Sequence, residues 1–564
     1  VSIRQDPLEV TLIQDHQTAA AEVERLSRCR VLGFDLETTG LDPRADRARL
    51  ASFATERTAV VFDLFKVPPG VLRPLFGEEG PVLVGHNLKF DLSFLLALGL
   101  WEGSGTRLWD TGLTHQVITA SSRMPALKDL IPGLDKAFQT SDWSGELTED
   151  QLRYAALDAW AVRGLYREQQ REARKLDLLP VVILENTALP AVAWMEFEGV
   201  PFDEALWEET AREAERERQR RLEALPFGVN WDSSAQVLRY LRAEGLPVGD
   251  TREETLAAFR GHPLVARLLA YREASKRVSA FGRDWLKWVK GGRVYPSWKQ
   301  IGAETGRMAC ARPNLQQVPR DPALRKAFRP GPGRVLVKAD YSQIELRLAA
   351  AIAKDRRMME AFTKGEDLHR LTASLVLGKP LEEVSKEDRQ LAKALNFGLL
   401  YGLGAEGLRK HARAGYGLEL TPEEAQRFRA AFFKAYPGLK AWHSRTPEGA
   451  VEVRTLLGRR RVTERFTEKL NTPVQGSGAD GLKAALALLW EERHKAPGNT
   501  FPVLAVHDEV VVEAPEEAAL EAKAWLEEAM KRGMGEVLEG VPVVVEAEVY
   551  QDWGVTPWEG KHET

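Results

Sequence analysis

Over the first 176 residues, short β-branched and apolar runs (Val31 to Leu36, Ala59 to Leu64, Val82 to Gly85) alternate with stretches of helical period. That alternation predicts an α/β layered domain. From Pro190 to about Val289 the period is helical and the positions are heavily charged, as in Glu204 to Arg221 where Glu and Arg interleave, and no strand is expected. Strand-like runs return at Arg334 to Lys338, Val451 to Leu456 and Pro502 to Ala514, on either side of a helical block from Met358 to Tyr436. An α+β domain with an inserted helical lobe follows. No short repeat or low-complexity tract interrupts the chain.

Length turns this pattern into a multidomain expectation, since 564 residues correspond to about three or four units at roughly 150 residues each. With 44% hydrophobic and 28% charged residues, neither disorder nor a fibrous composition describes the chain. Leu92 to Trp101 and Ala484 to Trp490, its longest apolar stretches, fall short of the ~20 residues that cross a bilayer, and no basic-then-apolar leader opens the sequence. Membrane insertion and secretion are therefore not expected. Two cysteines, Cys29 and Cys310, make neither a disulfide framework nor a four-ligand zinc site, which points to a reducing cytoplasm. The net charge of −4 argues against a uniformly basic coat and leaves local patches open. Few Cys and Met beside abundant Arg and Glu lean toward a thermophilic source. Val1 stands where an initiator Met is expected, leaving processing and trimming both open.

The first candidate chemistry lies in Val31-Leu-Gly-Phe-Asp-Leu-Glu-Thr-Thr-Gly40, where strand alternation puts Leu32, Phe34 and Leu36 on one face and Gly33, Asp35 and Glu37 on the other. An acidic solvent face explains such a pair equally well. Further on come His86-Asn-Leu-Lys-Phe-Asp91 and Tyr154-Ala-Ala-Leu-Asp158, the latter with phenol and carboxylate on one helix face. The ordered set Asp-x-Glu, Asn-x-x-Phe-Asp, Tyr-x-x-x-Asp resembles the proofreading 3′→5′ exonucleases. The resemblance implies that Asp35, Glu37, Asp91 and Asp158 hold two divalent ions and that Tyr154 orients the attacking water. His86 is read as structural.

A second set is dispersed. Asp340 ends a strand-like run, and His507-Asp508-Glu509 falls between two apolar runs, at an expected hairpin turn. Arg389, Lys393, Phe397 and Tyr401 recur every four residues, a drifting stripe suited to a polyphosphate at one end and a flat base at the other. A solvated basic helix accounts for the stripe just as well. Together, Asp340-Tyr-Ser-Gln-Ile-Glu-Leu-Arg347, the Arg389–Gly402 segment and Val506-His-Asp-Glu509 closely resemble the three polymerase motifs of the bacterial DNA polymerase I family, family A. Thr305-Gly-Arg307, Pro313-Asn-Leu-Gln316, Asp367-Leu-His369 and Asn471-Thr-Pro-Val-Gln-Gly476 extend the likeness.

That resemblance implies an RNase H-like exonuclease domain (1–176) followed by a right-hand polymerase: thumb mostly 177–300, palm 301–357, fingers 358–440, palm again 441–564. The separate 5′-nuclease domain of the family is not expected, because the proofreading motif begins about thirty residues in. The implied reaction is template-directed addition of deoxynucleotides to a primer. Asp340 and Asp508, with Tyr341, hold two Mg²⁺, for which Mn²⁺ can substitute, and Glu509 supports them. Arg389, Lys393 and His369 neutralise the triphosphate. Phe397 packs on the nucleotide, Tyr401 abuts the template site, Gln343 lies in the nucleotide pocket and Glu345 crowds the sugar's 2′ position. Arg307, Asn471, Gln475 and His507 are placed on DNA. In the family an arginine stands four residues before Asn471; this chain has Thr467 there, with Arg465 and Lys469 as nearby substitutes.

Between Arg272 and Lys299 eight basic residues face two acidic ones, a local balance of +6. This stripe, with Lys276, Arg277, Lys287 and Lys290, is the expected phosphate track. Primer-template DNA and deoxynucleoside triphosphates are the expected partners of a monomer. The rivals are a nuclease acting on RNA or DNA ends, which needs neither Asp340, Asp508 nor the Arg389 stripe, and a noncatalytic replication scaffold, which needs neither carboxylate set.

Overall fold

The computed structural model describes residues 8–134 and 138–560; Val1 lies outside them. The chain divides into two compact units. One comprises residues 1–198, 296–316 and 337–548; the other comprises 199–295, 317–336 and 549–564. The cuts do not follow the expected spans: of residues 177–300, 177–198 and 296–300 fall in the first unit, while 317–336 and the stretch from 549 fall in the second. The reason is packing. Leu179–Glu198 is an apolar helix that buries residues on all sides, and such a helix belongs in the core of the larger unit.

In the first unit a six-stranded sheet is built from β1 (Glu9–Ile13), β2 (Val31–Thr38), β3 (Ala48–Ala54), β4 (Thr58–Asp63), β5 (Val82–Gly85) and β6 (Leu108–Asp110), in the spatial order β1-β4-β3-β2-β5-β6. β2 pairs antiparallel with β3 and parallel with β5, so β2 is central. The long helix Glu149–Lys175 starts from a Thr148/Gln151 capping box. It lies across β2, and Gly33 permits the closeness: a Cβ at that position would come 1.8 Å from the Ala159 carbonyl oxygen. The face carrying Asp35 and Glu37 is therefore not an open acidic surface. It is roofed by the helix that bears Tyr154 and Asp158.

A second sheet has the strands Phe501–Val506, Glu509–Pro515, Arg334–Tyr341 and Val545–Tyr550 in that spatial order. Against the helices Leu179–Glu198 and Ala519–Gly535 packs the long helix Phe466–Glu491. The turn Gly103–Gly105 of the first sheet domain docks on the end of this helix: Trp490 Nε1 donates to Gly103 O (3.0 Å), and Ser104 Oγ and Gly105 N–H donate to Glu491 (both 2.8 Å). The block expected to be helical is so, from Arg356–Thr363 to Pro437–Arg445.

In the second unit the longest elements are the helices Glu204–Glu223 and Pro263–Phe281. Glu204–Glu223 buries only Trp207, Ala211 and Ala214 and is laced outside by Arg–Glu pairs at i+3 and i+4, each worth little by itself. Around Trp207 the packing is aromatic: Trp207 and Trp285 lie with ring centroids 4.5 Å apart, beside Phe202 and Phe328. Against the expectation of no strand, Val200–Pro201, Val289–Lys290 and Arg293–Val294 form a small sheet. Two-residue strands carry too little periodicity to be read from sequence.

Candidate active sites

The closeness at Gly33 sets the first site, because Asp35 follows it by two residues and Asp158 precedes Ala159. Oxygens of Asp35, Glu37 and Asp158 lie within 4.8 Å of one another. Three hard oxygen donors at that spacing suit a divalent cation. Burial raises the Tyr154 hydroxyl above its ordinary pKa, and Asp158, Glu37 and Asp35 add to the effect, so it stays a donor at any working pH. A cleft of about 670 Å³ opens over these groups. Asp91 lines it but stands outside the cluster of three. Its carboxyl is buried, accepts the Leu36 N–H at 3.0 Å, and is pushed up to about 8 by burial, with Asp110 adding. His86 engages Thr111 Oγ1 through Nδ1 and the Pro125 carbonyl through Nε2, both at 2.9 Å, which accords with a structural role. Leu41, 84% exposed at the cleft rim, carries no sequence signal.

Gly33→Ala is expected to cost about 1–3 kcal/mol, because the helix must back away from β2. Moving Asp158 with it should remove primer shortening while extension persists. Thermal melts and separate excision and extension assays check this; undiminished excision would show that the helix can withdraw without disturbing Asp158.

In the second sheet Asp340 is the penultimate residue of its strand, and Asp508 sits in the two-residue turn joining Phe501–Val506 to Glu509–Pro515, where His507 takes φ +58°. The Tyr341 N–H donates to Asp508 O at 3.3 Å, tying the turn to the Asp340 strand. Burial raises the Asp508 carboxyl to about 6, helped by Asp340, Glu345 and Glu509. A cation held there would reverse that shift. Glu509 pairs with Lys338 at 3.8 Å. The Tyr341 hydroxyl donates into the core, to Met530 O at 2.8 Å, so only its backbone is available to a ligand.

A pocket of about 530 Å³ joins Asp508 to Glu345, His369, Lys393, Phe397 and Gln475, with Arg307, Gln343 and His507 on its walls. The four-residue stripe on helix Lys386–Leu400 thus divides. Lys393 and Phe397 face the pocket, whereas Arg389 turns onto Asp367 at 2.6 Å and the Tyr401 hydroxyl donates to Glu345 at 2.5 Å. Glu345 also accepts from Arg307 at 3.2 Å. His369 Nδ1 meets the Asn396 amide at 2.8 Å, and burial lowers the ring to about 4, so it is neutral at pH 7. Gln343 Oε1 is buried with no hydrogen-bond partner among the described residues. Asn471 is half-buried on helix Phe466–Glu491 and does not line this pocket.

Two sequence expectations need correction. Lys469 cannot stand in for the missing arginine, because it is buried and spends its ammonium on Pro447 O (2.7 Å); exposed Arg465 remains. Nor is the basic stripe uniform. Arg277 pairs with Asp321 at 2.7 Å, Arg283 with Glu208, and Arg272 donates to Thr251 O; Lys276, Lys287 and Lys290 are exposed. Gln390 and Tyr416 also line the pocket and were not anticipated; Tyr416 ends a helix, Ala405–Tyr416, that carries no motif.

Residues 204–555 match the family model described as DNA polymerase family A, and residues 10–173 that of a 3′-5′ exonuclease. The chain is 38% identical to DNA polymerase I of Aquifex aeolicus, over 94% of this chain and 97% of that protein. It is 35% identical to the thermostable DNA polymerase I of Thermus filiformis over 73% of its own residues, and the aligned part spans about half (52%) of that relative. It is also similar to a solved structure described as the POL domain of Pol1 from M. smegmatis in complex with DNA primer-template and dNTP. The TM-score is 0.81 at 26% identity, covering 97% of this chain and all of that one. Both matched domains are metal-dependent, in keeping with the carboxylate cluster. No helix among the described residues is long and apolar enough to cross a membrane. The chain therefore belongs to DNA polymerase family A and carries a 3′-5′ exonuclease domain ahead of its polymerase domain.

Proposed function

We propose that the 530 Å³ pocket receives the deoxynucleoside triphosphate and the primer 3′ end, and that the 670 Å³ cleft receives a primer end to be excised. The observation that supports this most is the meeting of Asp508, Lys393, Phe397, His369 and Glu345, from four separate stretches of sequence, around one space. Asp340 and Asp508 hold Mg²⁺ in the polymerase pocket, and Asp35, Glu37 and Asp158 hold it in the cleft, with Asp91 completing that set. When bound, the metal would supply polarisation of the attacking oxygen and neutralisation of charge on the phosphate under attack.

The protein's own groups do the rest. Lys393 meets the triphosphate as a point charge, and neutral His369 offers a hydrogen bond rather than a charge. Arg389 joins them once an incoming phosphate competes with Asp367. Phe397 stacks on the base. Arg307 and Gln475 reach the minor-groove acceptors found in every correct pair, with Asn471 assisting from the same helix as Gln475. Duplex phosphates lie along Lys276, Lys287 and Lys290 in the second unit. Tyr154 orients the water that attacks in the cleft. A single chain holding both sites is read as working as a monomer, and its two cysteines as a cytoplasmic composition.

The test is an end-labelled primer-template incubated with Mg²⁺. Lengthening is expected with dNTPs, shortening without them, and neither in EDTA. Shortening alone in the presence of dNTPs would return the protein to the nuclease reading.

A further inference from the structure

Four charged side chains lie fully buried outside both sites: Glu185, Arg459, Asp480 and Lys483, each at most 4% exposed. Arg459 donates from Nε (2.9 Å) and Nη2 (2.7 Å) to Asp480 Oδ1 and also meets Glu185 Oε1. Lys483 donates to Glu185 Oε1 at 2.6 Å. Gln300 Nε2 supplies Glu185 Oε2 at 2.7 Å, and Thr455 Oγ1 supplies Asp480 Oδ2 at 2.7 Å. The cluster is neutral, and its members come from three separate elements. Burying four charges is a poor way to gain stability, because desolvation offsets the attraction between them. Such a cluster calls for a reason other than stability.

Its contact with the backbone beside the pocket supplies a reason. Lys483 Nζ also donates to the Gly306 carbonyl at 2.7 Å. Gly306 has φ +86°, and a Cβ there would stand 2.4 Å from Arg459 Nε, so the guanidinium lies directly against this stretch of backbone. The next residue is Arg307, whose Nη2 reaches Glu345 at the polymerase pocket. Ammonium and guanidinium therefore grip the chain one residue before the side chain that enters the site. Lys483 does not line the pocket itself; Ala479, one helical turn before it, does.

We propose that Lys483 is a positioning residue for Arg307: by holding the Gly306 carbonyl against the buried cluster, it sets where the Arg307 guanidinium meets the primer terminus. The proposal rests on the reading of Arg307 as a minor-groove contact. It makes correct-terminus recognition depend on a lysine that no substrate touches.

The test uses the full chain, exonuclease-silenced by Asp35→Ala with Glu37→Ala, and measures kcat/KM for extending matched and mismatched primer ends. Lys483→Met is expected to lower matched extension about tenfold, the loss of one well-placed hydrogen-bonding group, and to change mismatched extension little. In an Arg307→Ala background it should add nothing further, because residues acting as one unit are non-additive. Equal losses on both termini, or losses that add in the combined variant, would reduce Lys483 to a structural role. If Arg307→Ala alone leaves matched extension unchanged, the reading of Arg307 falls first and the proposal falls with it. Lys483→Met strands Glu185 with one cation fewer, so Glu185→Gln with Lys483→Met serves as the second variant. It removes one charge of each sign, keeps Arg459 on Asp480, and should regain thermal stability while retaining the matched-terminus defect. Recovery of activity along with stability would overturn the proposal.

Discussion

Asp508→Asn is expected to abolish primer extension and leave primer shortening intact, while Asp35→Ala with Glu37→Ala does the reverse. The carboxylates belong to different sheets and line different spaces, of about 530 and 670 Å³. Losing an acid that holds a catalytic cation should cost on the order of a thousandfold or more in rate. Asparagine preserves the shape of the turn and favours it as aspartate does, so the loss reports charge rather than misfolding. Stability offers a control of opposite sign. Burial raises the Asp508 carboxyl to about 6, so the folded state binds a proton more readily than the unfolded chain. The group therefore stabilises less and less as pH climbs from about 4 to 6, and above that window its charge is a constant cost. At pH 8 in metal-free buffer the Asp508→Asn protein should melt no lower than the parent. Parallel assays of extension, excision and melting settle it, and loss of both activities in a folded variant would break the assignment of the two sites.

Glu345→Ala is expected to admit ribonucleotides far more readily while reducing deoxynucleotide incorporation less severely. The carboxylate lines the 530 Å³ pocket, held by the Tyr401 hydroxyl at 2.5 Å and by Arg307 at 3.2 Å. A 2′-hydroxyl entering that space must displace a charged group from two charge-assisted bonds. Leaving such groups unsatisfied costs about 1–3 kcal/mol, and the steric clash adds to it, so selectivity of a few hundredfold is within reach. Single-nucleotide kcat/KM for matched ribo- and deoxynucleotides, measured in the exonuclease-silenced background, gives the ratio. An unchanged ratio in Glu345→Ala would mean that the carboxylate serves only to tether Tyr401 and Arg307.

Local rules carried much of this protein. Strand alternation paired Asp35 with Glu37, four-residue helical spacing joined Tyr154 to Asp158, and apolar runs on either side of His507 and Asp508 put a turn there. Each is a relation within a few residues, which backbone geometry settles without knowledge of the fold. Periodicity names a face, however, and not what covers it. It could not show that a glycine at position 33 lets Asp158 descend onto Asp35 and Glu37, or that Asp91 is held outside that cluster by the Leu36 N–H. Nor could it divide the Arg389 stripe, because Asp367 and Glu345, which claim its two ends, lie 22 and 56 residues away. Lys469 looked available until burial committed it to Pro447. Glu185 and Lys483 lie 298 residues apart in the sequence and meet only through packing. Residue type and spacing determined which chemistry this chain can perform; tertiary packing decided which of its charges are free to perform it, because each buried charge must first find a partner within the fold.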